Sequence, residues 1–241
     1  MIILKYNDIL IEGANRLNIN LTDTQIEQFN IYYNMLIEWN KKFNLTSITE
    51  EKDVIVKHFL DSIAITKIMD ISKLNSIIDV GTGAGFPGIP LKIIYPNLSV
   101  LLVDSLNKRI NFLLEVIENL SLINIECIHS RAEDLGNNNL YREKYDLCVS
   151  RAVADLSILS EYCLPFVKCE GYFVSYKSSK AIDEINSSKN AIRILGGNIE
   201  ESSSVQIPFS DISRTFVVIK KDEITPKKYP RKAGKPKKNP L

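Results

Sequence analysis

The sequence predicts an α/β protein with a doubly wound, mostly parallel sheet of seven strands, preceded by a helical segment. From residue 76 onward, short runs of apolar and β-branched residues alternate with stretches of helical periodicity. The seven runs are SIIDV, SVLLVD, IECIHS, YDLCVS, GYFVSYK, SSVQI and RTFVVIK. Strand, helix and strand in repetition is typical of a parallel sheet with helices on both faces.

The pattern divides the chain into three segments. Residues 1–70 are predicted to be helical and to pack on the core, residues 71–222 to form the sheet domain, and residues 223–241 to form a basic, proline-rich tail. In the first segment, Thr24 and Glu27 predict a capping box at the start of a long helix. After the second strand, one helical face is predicted to contain Ile110, Leu113, Leu114, Ile117 and Leu120.

The composition is that of an ordinary globular protein, with 45% hydrophobic and 24% charged residues. No apolar run approaches the roughly 20 residues of a membrane-spanning helix, and the N-terminus lacks the features of a signal peptide. The four cysteines match no zinc-binding spacing and are expected to be reduced thiols. We therefore expect a cytoplasmic protein without a membrane anchor or a metal site.

Charge is distributed unevenly along the chain, although the net charge is only +1. Seven basic residues and no acidic residue lie between Ile224 and Leu241, whereas the rest of the chain has 23 basic and 29 acidic residues. The prolines of this tail predict an extended, mobile segment. Its positive charge suits an RNA phosphate backbone, and Tyr229 is a candidate for stacking on a base. The predicted RNA contacts are Lys227, Lys228, Arg231 and Lys232.

A glycine-rich loop, GTGAGFPG (residues 81–88), follows the first strand directly. Glycines allow the backbone to turn sharply and to approach a ligand without an intervening Cβ. Asp104 ends the second strand, where a carboxylate can accept hydrogen bonds from both hydroxyls of a ribose. The combination predicts a nucleoside-binding site, and its candidate residues are Gly81, Gly83, Gly85, Phe86 and Asp104.

These residues leave two classes of nucleoside ligand open. The spacing of Gly83, Gly85 and Gly88 matches the dinucleotide fingerprint, so an NAD-dependent oxidoreductase is one alternative. However, Asp79 lies just before the loop, where its carboxylate would repel a pyrophosphate and could instead meet a cationic group. A ligand that combines an amino acid, a sulfonium and an adenosine, namely S-adenosylmethionine, suits this charge better.

Several motifs together resemble one known family. They are DVGTGAGFPG, VDSLNKR, SRAED, SRAV, WNKKFNLTSI, HFLDS and the C-terminal TPKKYPRKAGKPKKNPL. The sequence is similar to the glucose-inhibited division protein B family, the bacterial small-subunit ribosomal RNA methyltransferases G. The glycine loop alone would be weak evidence, but the tail and SRAV are far more specific, and the motifs span nearly the whole chain.

The resemblance implies a Rossmann-like class I methyltransferase that uses S-adenosylmethionine to methylate N7 of a guanine in 16S rRNA. That guanine lies in the 530 loop, at position 527 in conventional rRNA numbering. By motif, the cofactor would contact Gly81, Phe86, Ala132, Glu133 and Arg151. The implied partner is 16S rRNA or a small ribosomal subunit, and we expect a monomer. A non-catalytic RNA-binding protein with this fold is the other alternative.

Methylation at guanine N7 asks for positioning and not for a base, because N7 carries a lone pair and no proton. In agreement, the sequence lacks the Pro-Cys dipeptide of cytosine C5 methylation and the Pro-Pro pair of amine methylation. Arg151 ends the fourth strand and is the predicted positioning residue, able to hold a carboxylate or a phosphate bidentately. The structural alternative for Arg151 is an ion pair with Asp155.

Predictions also concern three further residues. His58 and Asp61 lie three residues apart on one predicted helix face and could line the site, although a buried histidine with satisfied hydrogen bonds is the simpler interpretation. Lys177 departs from the family pattern, in which we expect a glycine after the lysine. Here Lys177 is followed by Ser178 and Ser179, so its role stays open.

Overall fold

The computed structural model describes residues 5–151, 154–178 and 182–241, which include a seven-stranded sheet with helices on both faces. The strand order is β3-β2-β1-β4-β5-β7-β6. All neighbouring pairs are parallel except those of β7, which runs antiparallel to both β5 and β6. The predicted fold class and all seven strands are confirmed. The strands are β1 (Ser76–Val80), β2 (Ser99–Asp104), β3 (Ile125–His129), β4 (Tyr145–Ser150), β5 (Val167–Ser178), β6 (Gly197–Gln206) and β7 (Ser213–Lys221).

The α-helices precede the sheet, connect its strands or, in the case of the last one, follow it, and a π-helical stretch, Ile55–Leu60, continues the third helix. None of the helices in the described ranges is long and apolar enough to span a membrane. The helices are α1 (Asn7–Arg16), α2 (Asp23–Phe43), α3 (Glu51–Val54), α4 (Asp61–Ile63), α5 (Gly88–Ile94), α6 (Asn107–Asn119), α7 (Ala132–Leu135), α8 (Leu156–Cys163), α9 (Ile182–Ile194) and α10 (Lys235–Lys238).

Alternation along the strands divides the core into two layers. Ile77 of β1 packs in one layer with Phe29 and Leu36 of α2, whereas its neighbour Ile78 packs in the other layer with Leu159 of α8. Successive side chains of a strand point to opposite faces, and both faces are covered by helices. This is why the central strands are continuously apolar in sequence. The N-terminal helices thus share one core with the sheet.

The predicted capping box of α2 is wrong by two residues. The helix begins after Thr22, whose Oγ1 accepts a hydrogen bond from the Gln25 backbone N–H, while the Gln25 side chain accepts one from the Thr22 N–H. The sequence matches the capping pattern at both Thr22 and Thr24. Gln25 also donates to the carbonyl of Ile93, so a tertiary contact favours the earlier start.

The predicted apolar face of α6 is wrong at one position, Leu114. Leu114 is 53% exposed, whereas Phe112 and Val116 are fully buried. The ring of Phe112 packs against Trp39 of α2, with 5.6 Å between the ring centroids. The helix therefore turns toward α2 as well as toward the sheet, and this rotates its buried face away from Leu114.

The predicted extended, mobile tail is wrong, because residues 223–241 fold against the body of the protein. Tyr229 is 7% exposed and belongs to the core layer of α8, so its ring is not free to stack on a base. Arg142 donates hydrogen bonds to the carbonyls of Thr225 and Tyr229 at 2.6 and 2.8 Å. Composition predicts disorder here, but a few anchoring residues bind the segment in place.

Candidate active site

A cavity of about 760 Å³ lies at the carboxyl ends of β1, β2 and β4. Ligands of doubly wound sheets bind in this position, because the strand order reverses there and opens a crevice. Residues from the glycine loop, α7, the π-helical stretch and the tail surround it. Those used below are Thr46, His58, Gly81, Gly83, Phe86, Asp104, Arg109, Ala132, Glu133, Arg151, Gly234 and Lys237.

The glycines of the loop have two different functions. Gly81, Gly83 and Gly85 all have positive φ angles, of 72°, 63° and 97°, which non-glycine residues rarely adopt. A Cβ on Gly83 would have no heavy atom within 4 Å, whereas one on Gly88 would lie 2.3 Å from the Leu102 side chain. Gly81 and Gly83 line the cavity, while Gly85 and Gly88 allow the loop to pack closely beneath it.

Asp79 supports the loop from below and does not line the cavity. Its carboxylate is fully buried, and Oδ2 accepts hydrogen bonds from Thr82 Oγ1 at 2.7 Å and from the Gly88 N–H at 2.8 Å. Burial raises the pKa of this carboxyl group to about 6, despite the opposing effect of these two donors. Asp79 therefore shapes the turn, and the predicted contact with a cationic ligand group is not favoured.

Asp104 lies in the cavity wall with both carboxylate oxygens in hydrogen bonds. Oδ2 accepts from the Gly83 N–H at 2.9 Å and from Arg109 Nη1 at 3.0 Å, and Oδ1 accepts from the Leu106 N–H at 2.9 Å. The side chain is only 2% exposed. These donors orient the carboxylate at the position predicted for a ribose acceptor. Arg109, which also lines the cavity, was not predicted from the sequence.

Glu133 connects the cavity to the tail. Ala132 and Glu133 begin the short helix α7, and both line the cavity. The Glu133 Oε1 accepts a hydrogen bond of 2.9 Å from the Gly234 N–H. Gly234 and Lys237 line the same cavity, so the folded tail forms part of its wall. Nothing in the sequence pattern indicated this role for the tail.

Arg151 extends from the end of β4 to the N-terminal helices. Its Nη1 donates to Asp61 Oδ2 at 2.7 Å and to the Lys57 carbonyl at 3.1 Å. The guanidinium lies 5.1 Å from the centroid of the Phe86 ring, within the range of a cation–π contact. The alternative ion pair with Asp155 is wrong, because the carboxylate partner of Arg151 is Asp61.

His58 lies in the π-helical stretch and also lines the cavity. Its ring stacks on Phe86, with 4.6 Å between the centroids and an interplanar angle of 18°. Nδ1 lies 3.2 Å from Arg151 Nη2, and Nε2 lies 2.9 Å from Thr46 Oγ1. Burial and then the charge of Arg151 lower the pKa of His58 to about 4. The imidazole is therefore neutral at physiological pH and acts as a packed, hydrogen-bonded wall.

Lys177 has a structural environment that accounts for its burial. Its Nζ donates to the Ala154 carbonyl and to Glu184 Oε1, both at 2.5 Å. These contacts connect the end of β5 with the segment before α8 and with α9. The departure from the family pattern, Ser178 in place of the expected glycine, lies at the end of β5, where Ser178 pairs with Arg214 of β7. Ser179 lies outside the described residues, as do Ala152 and Val153 of the SRAV motif.

The four predicted RNA contacts are placed on the folded tail but outside the cavity lining. Lys227, Lys228 and Lys232 are exposed. Arg231 instead forms an ion pair with Glu161, with Nη2 2.5 Å from Oε2, and Glu161 is 1% exposed. Arg231 therefore anchors the tail, while the three lysines present positive charge on its exposed surface.

Comparisons with known proteins agree with the resemblance seen in the motifs. Two relatives named ribosomal RNA small subunit methyltransferase G align along nearly the entire chain. The protein from Alkaliphilus oremlandii is 53% identical over 238 residues, covering 99% of this chain and 100% of the relative. The protein from Acetivibrio thermocellus is 54% identical over 238 residues, covering 99% and 98%.

A solved structure supports the fold independently of close sequence similarity. The structure of TYW2 from M. jannaschii in complex with AdoMet matches with a TM-score of 0.51 at 16% identity, covering 62% of this chain and 70% of that chain. The family model described as rRNA small subunit methyltransferase G, GidB, matches residues 25–212. With this match over most of the chain, and relatives similar along nearly all of it, the chain belongs to the rRNA small subunit methyltransferase G family.

Proposed function

We propose that this chain transfers the methyl group of S-adenosylmethionine to N7 of a guanine in the 530 loop of 16S rRNA, position 527 in conventional numbering. The observation that carries the proposal is the family match over residues 25–212, a range that contains the glycine loop, Asp104, Glu133 and Arg151. All of these cavity-lining groups also occur in the motifs that resemble the family. The alternatives of an NAD-dependent oxidoreductase and a non-catalytic RNA-binding protein are not favoured, because the family and its relatives are methyltransferases.

The groups in the cavity fit this cofactor chemically. Asp104 offers a buried, oriented carboxylate to the ribose hydroxyls, and Gly83 leaves space for a close approach of the ligand. In this proposal, Glu133 accepts a hydrogen bond from the adenine amino group. Arg151 offers a guanidinium for a carboxylate or a phosphate. When bound, the cofactor supplies an activated methyl group whose bond to sulfur breaks as the bond to guanine N7 forms.

The residues of the chain contribute orientation and electrostatics to this reaction. Guanine N7 carries an in-plane lone pair and no proton, so no base is required. His58 has a pKa of about 4 and polar neighbours at both ring nitrogens, which suits a positioning wall. Holding two reactants in the correct geometry lowers the barrier by removing the entropy cost of bringing them together.

Methyl transfer from labelled S-adenosylmethionine to RNA tests the proposal directly. Naked 16S rRNA, an assembly intermediate and the complete small subunit are assayed side by side. Reduction with borohydride followed by aniline cleaves the RNA chain at 7-methylguanosine and locates the modified base. Cleavage at the 530 loop is the expected result. Failure to label any of the three RNA forms, or labelling at another atom or nucleotide, contradicts the proposal.

Replacing Asp104 tests the cofactor site. Asp104→Ala removes an acceptor that makes two charge-assisted hydrogen bonds to the ribose, so the affinity for S-adenosylmethionine is expected to fall at least about tenfold. Asp104→Asn, which retains one acceptor oxygen, should have an intermediate effect. Calorimetric titration measures both affinities, and circular dichroism verifies the fold. An unchanged affinity in the alanine variant would show that Asp104 does not bind the ribose.

Removing the three exposed tail lysines tests the RNA surface. We expect a variant with Lys227→Gln, Lys228→Gln and Lys232→Gln to bind RNA more weakly while it retains its affinity for the cofactor. If all three charges meet phosphates, the slope of log affinity against log salt should become shallower by about 2 to 3 units. Filter binding over a series of salt concentrations measures this slope.

The control for the lysine variant removes charge at the opposite edge of the sheet. Lys73 and Lys144 are exposed and precede β1 and β4, so they lie at the amino ends of the strands, away from the cavity. Lys73→Gln with Lys144→Gln should leave the salt slope nearly unchanged. Equal slopes for the wild type and the tail variant would mean that RNA binds another surface.

A further inference from the structure

Arg214 is linked to the candidate active site without belonging to the cavity. It lies in β7, paired with Ser178 of β5, and the described residues that line the cavity do not include it. Its Nε donates to Asp61 Oδ1 at 2.7 Å and its Nη2 to Asp61 Oδ2 at 3.1 Å. A side-on pair of this kind engages both oxygens of one carboxylate. Arg214 is therefore fixed to the sheet at one end and to Asp61 at the other.

Asp61 is shared between two guanidinium groups. It is 1% exposed, and the same Oδ2 that accepts from Arg214 also accepts from Arg151 Nη1 at 2.7 Å. A buried carboxylate needs opposite charge and hydrogen-bond donors to be stable. The two guanidiniums, the carboxylate of Asp61 and the neutral His58 form a cluster next to the cavity. Its net charge is +1.

The shared carboxylate restricts how Arg151 can bind it. Because Arg214 occupies Oδ1 and shares Oδ2, Arg151 contacts Asp61 through a single nitrogen. Its second terminal nitrogen lies beside His58, and its guanidinium contacts the ring of Phe86. With Oδ1 unoccupied, Arg151 would instead gain by pairing with both oxygens of Asp61, since bidentate pairs are stronger. That movement would withdraw the guanidinium from the cavity.

We propose that Arg214 is a positioning residue for Arg151: by holding both carboxylate oxygens of Asp61, it limits Arg151 to one hydrogen bond and keeps its guanidinium in the cavity. This inference rests on the proposed methyltransferase function. Arg214 does not line the cavity and acts through Asp61. The contribution of Arg214 to activity therefore depends on the presence of Arg151. A purely structural contribution would be the same with and without Arg151.

A double-mutant cycle measures this dependence. Arg214→Met is expected to lower kcat/KM for methyl transfer at least about tenfold in the wild-type background and less than about threefold when Arg151→Ala is already present, because residues that act through one another are not additive. Arg214→Lys retains the charge but not the side-on pair and should rescue part of the activity. Equal losses in both backgrounds would overturn the proposal.

The matched control lies on the same strand. Lys220 pairs with the exposed Glu170, so Lys220→Met removes an ion pair from β7 without touching Asp61 and should leave kcat/KM unchanged. Thermal melting monitors the fold of each variant. Arg214→Met could lose activity in proportion to a fall in its melting temperature, and Lys220→Met could lose as much. That result would indicate general destabilisation and would contradict the positioning role.

A second readout does not depend on activity. In protein labelled with ¹⁵N-arginine, the Nε–H signal of Arg151 is expected to be resolved and slowly exchanging in the wild type and to shift in Arg214→Met, as the guanidinium rearranges on Asp61. An unchanged Arg151 signal overturns the proposal even if the variant has lost activity. If the wild type does not methylate RNA but its Arg151 signal shifts as expected, the proposed function fails while the positioning contact stands.

Discussion

Removal of residues 225–241 is expected to lower the free energy of unfolding by more than about 5 kcal/mol and to abolish cofactor binding. The main apolar loss is Tyr229, which is 7% exposed in the core layer of α8. Deleting a buried aromatic side chain costs about 3–5 kcal/mol, since it removes apolar burial and leaves a cavity. Truncation thus opens the core on that side of the sheet.

The same truncation removes the counter-charge of one buried group, Glu161, and one hydrogen-bond partner of another, Lys221. Glu161 is 1% exposed and accepts hydrogen bonds from the backbone and the guanidinium of Arg231. Lys221 is fully buried and loses its bond of 2.7 Å to Thr225 Oγ1. Breaking one buried ion pair from one side costs about 3–5 kcal/mol. Together with the loss of Tyr229, these losses are expected to exceed about 5 kcal/mol.

The truncation should abolish cofactor binding as well as lower the stability, because the tail is part of the cavity wall. Gly234 donates to Glu133, and Lys237 lines the cavity. A mobile tail, which its composition predicts, could be removed with little effect on cofactor affinity, and the folded position of the tail reverses that expectation. Urea unfolding and calorimetric titration with S-adenosylmethionine measure the two effects.

A point variant and a control separate packing from charge. Arg231→Met, in the full-length chain, leaves Glu161 buried without its guanidinium and should by itself destabilise the fold by about 3–5 kcal/mol. The variant with Lys227, Lys228 and Lys232 changed to Gln retains Tyr229 and Arg231, so its stability should stay near that of the wild type. A truncated protein with full stability and cofactor affinity would contradict the packed tail.

The sheet and its nucleoside-binding loop could be predicted because their signals are local. A buried strand is a short apolar run, and glycine at positive φ is a property of one residue, so SIIDV followed by GTGAGFPG already indicates a strand and a sharp turn. Asp104 was predictable for the same reason, as the last residue of the next strand. The structure places Gly81, Gly83, Phe86, Asp104, Ala132, Glu133 and Arg151 around one cavity.

The contacts that organise this site could not be predicted, because they join residues far apart in sequence. Arg214 and Asp61 are separated by 153 residues, and Arg231 and Glu161 by 70. No local pattern indicates which carboxylate an arginine will find once the sheet has formed. The proline- and lysine-rich composition of the tail likewise conceals Tyr229, a single anchor whose burial depends on α8.

Changing Asp79 to Asn is expected to give a difference in stability that depends on pH between about pH 4 and pH 6. Asp79 is fully buried, and burial raises its pKa to about 6 from the model-peptide value of 3.8. Well below pH 4 the carboxyl group is protonated in both the folded and the unfolded chain. As the pH rises, the unfolded chain releases its proton first, so the wild type loses stability until the folded group also ionises.

The size of this effect follows from the shift in pKa. A shift of about two pKa units corresponds to about 3 kcal/mol in the free energy of unfolding. The wild type loses this stability across the pH window, whereas the asparagine variant does not, because it has no proton to release. The stability of Asp79→Asn minus that of the wild type should therefore increase by about 3 kcal/mol between about pH 4 and pH 7. Urea unfolding at a series of pH values measures the difference.

Asp146 provides a control of opposite sign on the same sheet. Burial alone would raise the pKa of Asp146, but Lys168 and the N–H groups of Asn75 and Ser76 lower it below the usual value. Ionised Asp146 therefore stabilises the fold, and this stability is lost as the pH falls below about 4. The stability of Asp146→Asn minus that of the wild type should therefore decrease as the pH rises. The corresponding difference for Asp79→Asn should increase as the pH rises. A difference for Asp79→Asn that does not vary with pH would show that the pKa of Asp79 is the same in the folded and the unfolded chain, and would contradict the raised pKa.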